Sequence, residues 1–184
     1  MNGSIVLTTI NKPNINIKKL TKLGKKNKFD LIVIGDLKTP KDFQLKYGIY
    51  FDINKQKKLK FDFAKKCPVN SYARKNIGYL ISYKNNYETI IETDDDNFPK
   101  NNFFKFIELE HRVKEINEKN WVNVYSKFLK ENIEIWPRGL PFEKINSTPN
   151  FKTKKIKKKF FLKQGVCEGN PDVDAIYRLM NNDI

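Results

Sequence analysis

Three adjacent carboxylates, Asp94, Asp95 and Asp96, follow Glu92-Thr93 where an apolar segment, Tyr87 to Ile91, runs out. Like charges packed this closely destabilise one another unless a cation joins them. Carboxylate oxygens are hard donors, so the fitting cation is Mg2+ or Mn2+, which takes few protein ligands and completes its shell with phosphate and water. If strand geometry persists through the run, Asp94 and Asp96 point to the same side. Such a pair would hold a metal that offsets charge on a departing diphosphate. A hydrated acidic turn is the competing reading of the same residues.

Two further places carry related chemistry. Asn70 or Ser71 can cap a helix whose apolar positions Ala73, Ile77, Leu80 and Ile81 share one face, which sets Arg74 and Lys75 in its first turn. Cations there oppose the helix dipole unless something anionic is close, either a bound diphosphate or Asp94 to Asp96. Plain solvation is the alternative. Near the C-terminus, Pro171-Asp172 reads as a helix start, with Asp174 just inside it. An acidic helix start beside a metal site is also where a general base for an acceptor hydroxyl would stand.

The segments that must position these groups alternate. Ile5 to Ile10 is a short β-branched run; Asn11 to Asn14 is a turn; Ile17, Leu20 and Leu23 follow at helical spacing, with Gly24-Lys25-Lys26 as the expected helix end. Leu31 to Asp36 is a continuous apolar run of the kind buried on both faces of a parallel sheet. The unit is strand, helix, strand with a right-handed crossover. Ligands of open α/β sheets settle beyond the carboxyl ends of the strands, so Thr8, Thr9 and Asp36 are expected at one rim. Asp36 could accept from a ribose or base, or simply form the turn before Lys38-Thr39-Pro40.

Gly48 to Phe51 reads as another strand, and Asn54 to Lys65 as one amphipathic stretch ending at Cys67-Pro68. Past Pro99, Phe103, Phe104, Phe106 and Ile107 plug a core, and Trp121 to Tyr125 has the alternation of a strand. Trp136 to Pro141 is a rigid turn whose main job is packing, with sugar stacking or phosphate contact as the sharper alternative. Lys152 to Lys159 reads as a solvated loop or arm, with phosphate, lipid headgroups or RNA as possible attractions.

At 184 residues, 39% hydrophobic and 13% aromatic, the chain can bury a real core, and its length points to one domain over 1–184. The net charge of +15 invites an anionic partner. Arg appears only at Arg74, Arg112, Arg138 and Arg178, and base readers favour the Arg fork, so nucleic acid is disfavoured. Cys67 and Cys167 fit no metal pattern and read as buried thiols in a reducing compartment. No apolar stretch approaches bilayer-spanning length, and no signal segment precedes the first strand. The expected location is cytoplasmic, with a position peripheral to a membrane left open.

Several blocks in order are more specific than any one of them: Val6 to Pro13, Asp30 to Pro40, Asn70 to Leu80, Glu92 to Asn97, Trp136 to Pro141 and Pro171 to Leu179. Together they resemble the STELLO family of glycosyltransferases, with Asn70-Ser71-Tyr72-Ala73-Arg74-Lys75-Asn76 and Glu92-Thr93-Asp94-Asp95-Asp96-Asn97 as the most specific pair. The resemblance implies an α/β fold, GT-A-like and Rossmann-related, a mostly parallel sheet flanked by helices. It implies a nucleoside-diphosphate sugar as donor and an unidentified acceptor. In that reading Asp94 and Asp96 hold Mn2+ or Mg2+, Asp95 hydrogen-bonds ribose or sugar, Arg74 and Lys75 contact phosphate, and Thr8, Thr9 and Asp36 cradle the nucleoside. Asp172 or Asp174 is the candidate base. A looser similarity to reversibly glycosylated polypeptides leaves a sugar-nucleotide mutase or self-glycosylating protein as an alternative. Family members continue beyond the last block, so an end at Ile184 implies a reduced acceptor half and leaves room for a non-catalytic scaffold in polysaccharide synthesis.

Overall fold

The computed structural model describes residues 2–117, 121–127, 135–147, 152–167 and 172–181. Its contacts fall into two compact units, Met1–Ile107 and Glu108–Ile184.

In the first unit, Gly3–Thr9 forms β1, Phe29–Gly35 β2, Ile49–Phe51 β3 and Thr89–Glu92 β4. All pair in parallel, in the order β3-β2-β1-β4. Alternation along β1 divides its buried side chains between two layers. Ile5 and Leu7 join Leu31 and Val33 on one face, covered by Ile17 and Leu20 of α1, Ile15–Asn27. Val6, Ile32 and Ile34 take the other face, against Ile77 and Ile81 of α4, Lys75–Lys84. This is the expected α/β layering, a mostly parallel sheet flanked by helices. The chain passes from β1 outward to β2 and β3, then returns to place β4 on the opposite side of β1. The strand order therefore reverses between β1 and β4, the position where open α/β sheets leave a crevice.

Several local expectations change. The helix does not end at Gly24: α1 runs to Asn27 and closes at Lys28, whose φ is 62°. Gly24 serves close packing, since a Cβ there would lie 2.7 Å from the Phe29 carbonyl oxygen. The Lys-rich stretch is two short helices, α2 over Ile53–Lys57, capped by Asp52, and α3 over Asp62–Lys66. Phe103, Phe104 and Ile107 pack against the α1 side of the sheet.

The second unit pairs β5, Glu110–Ile116, with β6, Thr153–Lys159, in an antiparallel ribbon. The lysine run is thus a paired strand, not a loop, with Thr153 to Lys159 in antiparallel register against Ile116 to Glu110. Trp121 to Tyr125 is not a strand; a 3-10 turn over Val124–Lys127 lies there instead. Trp121 and Tyr125 pack on a small cluster of Ile135, Trp136, Val173 and Tyr177. An isolated antiparallel bridge, Pro137 to Val173, ties the Trp136 turn to the approach to α5, Ala175–Met180. That helix starts after Asp174, three residues later than the sequence indicates, and Pro171 lies outside the described residues. Cys67 is buried as expected, whereas Cys167 is exposed.

Candidate functional site

Parallel pairing brings the ends of β1, β2 and β4, at Thr9, Gly35 and Glu92, to one rim of the sheet. Asp95 is the keystone there. Thr9 Oγ1 donates to Asp95 Oδ2 at 2.5 Å, and Asn11 Nδ2 donates to the same oxygen at 3.1 Å. The Asp95 carbonyl accepts from Asn14 Nδ2 at 2.7 Å and Asn16 Nδ2 at 3.2 Å. Asn14 also caps α1, its Oδ1 accepting from Ile17 N at 2.9 Å. One asparagine therefore joins the start of the first helix to the acidic run.

Strand geometry does not continue through that run. β4 stops at Glu92, and a turn closed by Asn97 N to the Asp94 carbonyl at 3.3 Å sets the directions. Asp95 is half-buried and engaged by β1 and α1, while Asp94 and Asp96 are exposed on either side of it.

Lys75, at the start of α4, is buried and reaches this turn. Its Nζ donates to Asp94 Oδ1 at 2.5 Å and to Glu92 Oε1 at 2.8 Å. Burial alone would lower the ammonium pKa, but the bonds and charges of Asp94 and Glu92 outweigh it and leave it raised. Tyr79 lies in the same field: burial first, then the Glu92 charge, raises its phenol. The anion that explains Lys75 at a helix start is thus the acidic run itself. Arg74 goes elsewhere. Only 2% exposed, its guanidinium donates to the carbonyls of Cys67 at 3.0 Å and Pro68 at 3.2 Å and to the Gln56 side chain. These neutral partners hold the loop ahead of α4, and the cation is turned inward rather than toward the rim.

Asp36 stands just beyond β2. Its carboxylate accepts from three backbone N–H groups, Leu37 at 2.7 Å, Asn70 at 2.9 Å and Ser71 at 3.2 Å. It therefore ties the β2 end to the start of the Tyr72–Arg74 turn. Thr39 links β2 to β1, its hydroxyl donating to the Thr9 carbonyl at 2.7 Å while accepting from Asp36 N at 2.8 Å. Thr8 is half-buried one residue before the rim.

Among the described residues no three or more His, Cys, Asp or Glu side chains are grouped to hold a metal. Asp94 and Asp96 still offer two exposed sets of hard oxygens, and Asp96 has no hydrogen bond or ion pair among the described residues. Two carboxylates fit Mg2+ or Mn2+ that keeps water or phosphate in the rest of its shell, and do not fit a metal enclosed by protein ligands.

Asp172 and Asp174 belong to the second unit. Asp172 Oδ1 pairs with Arg138 Nη2 at 2.9 Å, both side chains being largely exposed. Asp174 caps α5, accepting from Ile176 N at 2.9 Å and Tyr177 N at 3.2 Å. Sequence reading misses Asn11, Asn14, Asn16, Thr39 and Gln56. Only Asn14 carried a usable signal, as an N-cap three residues before the first buried helical position, Ile17.

No family model matches the chain. It is 28% identical to the probable glycosyltransferase STELLO2 of Arabidopsis thaliana and 27% identical to STELLO1 of the same plant, over 94% of this chain in each case. The chain spans about a quarter, 24%, of the length of these curated relatives. The resemblance to the STELLO family is thus not confined to the acidic run and its partner block but extends along nearly the whole chain.

Proposed function

We propose that this STELLO relative is part of a glycosyltransferase, and that its Met1–Ile107 unit binds a nucleoside-diphosphate sugar together with Mn2+ or Mg2+. The observation that carries this reading is the Thr9–Asp95 hydrogen bond across the strand-order reversal. By anchoring the middle carboxylate, it leaves the outer two exposed beside the strand-order reversal, the position at which open α/β sheets generally take nucleotides. Asp94 and Asp96 are the metal-holding pair. When bound, the metal neutralises charge building on the departing diphosphate.

The remaining roles follow from what each side chain touches. Lys75 neutralises part of the acidic turn and offers the donor phosphates an ammonium, exchanging a carboxylate for a phosphate oxygen. Asp36 and Arg74 are positioning residues, because their hydrogen bonds fix the loop and turn leading into α4. Thr8 and Thr9 border the nucleoside. Asp172 or Asp174 is the candidate general base for an acceptor hydroxyl, Asp174 also capping α5.

The test is calorimetry of the full chain with a panel of nucleoside-diphosphate sugars, with and without Mn2+. One sugar nucleotide should bind only with metal, and Asp96→Ala should abolish that binding while leaving the thermal midpoint unchanged. Equal binding by wild type and variant would remove the metal assignment. Slow release of free nucleoside diphosphate in the same mixture, with water as acceptor, marks an enzyme, and its absence at saturating donor marks a binding module.

A further inference from the structure

The β5–β6 ribbon has two unlike faces, and the difference does not follow from lysine abundance alone. Register pairs Arg112 with Lys157, Lys114 with Lys155 and Glu110 with Lys159. Since alternate residues share a face, Arg112, Lys114, Lys155, Lys157 and Lys159 all lie on one side, every one exposed. The single acid there, Glu110, pairs with Lys157 at 2.5 Å. The opposite face carries the half-buried pair Val113 and Ile156, with His111, Lys154, Lys158 and Glu115, the last two 3.9 Å apart. Cations are thus sorted onto one surface, where like charges oppose each other unless an anion lies against them.

The ribbon ends in apolar side chains open to solvent. Phe160 N donates to the Leu109 carbonyl at 2.8 Å, extending the pairing past Lys159. Phe161 and Leu162, next in the chain, are 86% and 91% exposed. Two adjacent large apolar residues standing free beside a lysine face match the demands of one partner, an anionic bilayer surface. Headgroup phosphates and carboxylates meet the ammonium groups, and an aromatic and an aliphatic side chain enter the acyl boundary. A nucleic acid would instead ask for stacking aromatics within the cationic face and for Arg forks, and that face has one Arg and no aromatic.

We infer that the β5–β6 ribbon is a peripheral membrane-binding element, its Arg112, Lys114, Lys155, Lys157 and Lys159 face seated on anionic lipid headgroups with Phe161 and Leu162 inserted. The lysine stems lie along the interface while their heads remain hydrated. Binding is therefore reversible and salt-dependent, with an apolar part that salt does not remove.

Co-sedimentation of the full chain with vesicles of phosphatidylcholine, alone or mixed with phosphatidylserine, tests this. The chain should pellet only with the mixed vesicles. The triple variant Arg112→Gln, Lys155→Gln, Lys159→Gln should lose on the order of a hundredfold in vesicle affinity, at roughly fivefold per cation. The opposite-face variant Lys154→Gln, Lys158→Gln should lose far less. Phe161→Ser with Leu162→Ser should remove the binding that survives high salt. Circular dichroism of each variant checks that the fold is retained. Equal losses from the two faces would overturn the inference, as would indifference to phosphatidylserine. Tight, salt-dependent binding of a single-stranded oligonucleotide without vesicle binding would overturn it in favour of nucleic acid.

Discussion

Thr9 and Asp95, 86 residues apart in sequence, share a hydrogen bond of 2.5 Å between the end of the first strand and the turn after the fourth. The bond crosses the reversal in strand order and fixes which carboxylates of the acidic run face outward. Thr9 is buried, so removing its hydroxyl leaves Asp95 without its shortest partner. Thr9→Val should cost about 1.5–3 kcal/mol in urea unfolding, the range for a lost hydrogen bond to a charged group. It should also weaken metal-dependent sugar-nucleotide binding well beyond what the stability loss alone would give. A variant of full affinity would show that the turn holds its shape without β1.

Arg74 and Lys75 are neighbours with opposite tasks, and paired substitutions should separate them. Arg74→Met strands the carbonyls of Cys67 and Pro68 in a buried loop and should lower stability by about 2–4 kcal/mol. Lys75→Met removes the ammonium that competes for Asp94. Mn2+ alone should then bind more tightly than to the wild type, while the sugar nucleotide loses a phosphate contact. Calorimetry with Mn2+ alone and with Mn2+ plus sugar nucleotide reads both effects. Weaker binding of Mn2+ alone by the Lys75 variant would contradict the competition.

Gly78 lets α4 settle onto the sheet, since a Cβ there would come within 2.4 Å of Val6 Cγ1. Alanine favours a helix over glycine by about 1 kcal/mol, but overpacking a rigid β-branched neighbour costs about 1–3 kcal/mol, so Gly78→Ala should be neutral to destabilising. Val6→Ala alone opens a cavity between β1 and α4 and should be clearly destabilising. Together the two should cost less than their sum, because the new methyl occupies the space vacated by the old ones. Additive losses by denaturant unfolding would place the strain elsewhere.

The first unit was largely legible because its signals are local. The apolar runs of β1 and β2 and the spacing of Ile17 and Leu20 need only the period of a strand or helix to be read. The outward carboxylates were legible as chemistry but not as geometry. The sequence offers a strand through Asp96, whereas a turn anchored by Asn11, Asn14 and Asn16 decides the matter, and those partners lie some 80 residues away. Arg74 misled for the same reason: helix-dipole reasoning sees its position, not the carbonyls of Cys67 and Pro68 folded over it. The lysine run of β6 reads as an arm because no period-2 apolar pattern marks it, and only the pairing with β5 makes it a strand.

Tyr87 supplies a pH signature. Its hydroxyl donates to Asp30 Oδ2 at 2.5 Å, and burial, followed by that bond and the Asp30 charge, pushes the phenol up to about 12. The folded form holds the proton where the unfolded chain, at the ordinary value of 10.0, has begun to lose it. The unfolded state then binds fewer protons, so stability falls as pH rises. The contribution is intact below pH 10 and is lost progressively toward pH 12. Lys75, also raised, acts in the same direction on the alkaline side. Tyr87→Phe should therefore flatten, without abolishing, the alkaline decline in the urea midpoint. It should also remove one late-titrating group from the ultraviolet tyrosinate curve. An unchanged slope would mean that the Tyr87–Asp30 bond is not kept in solution.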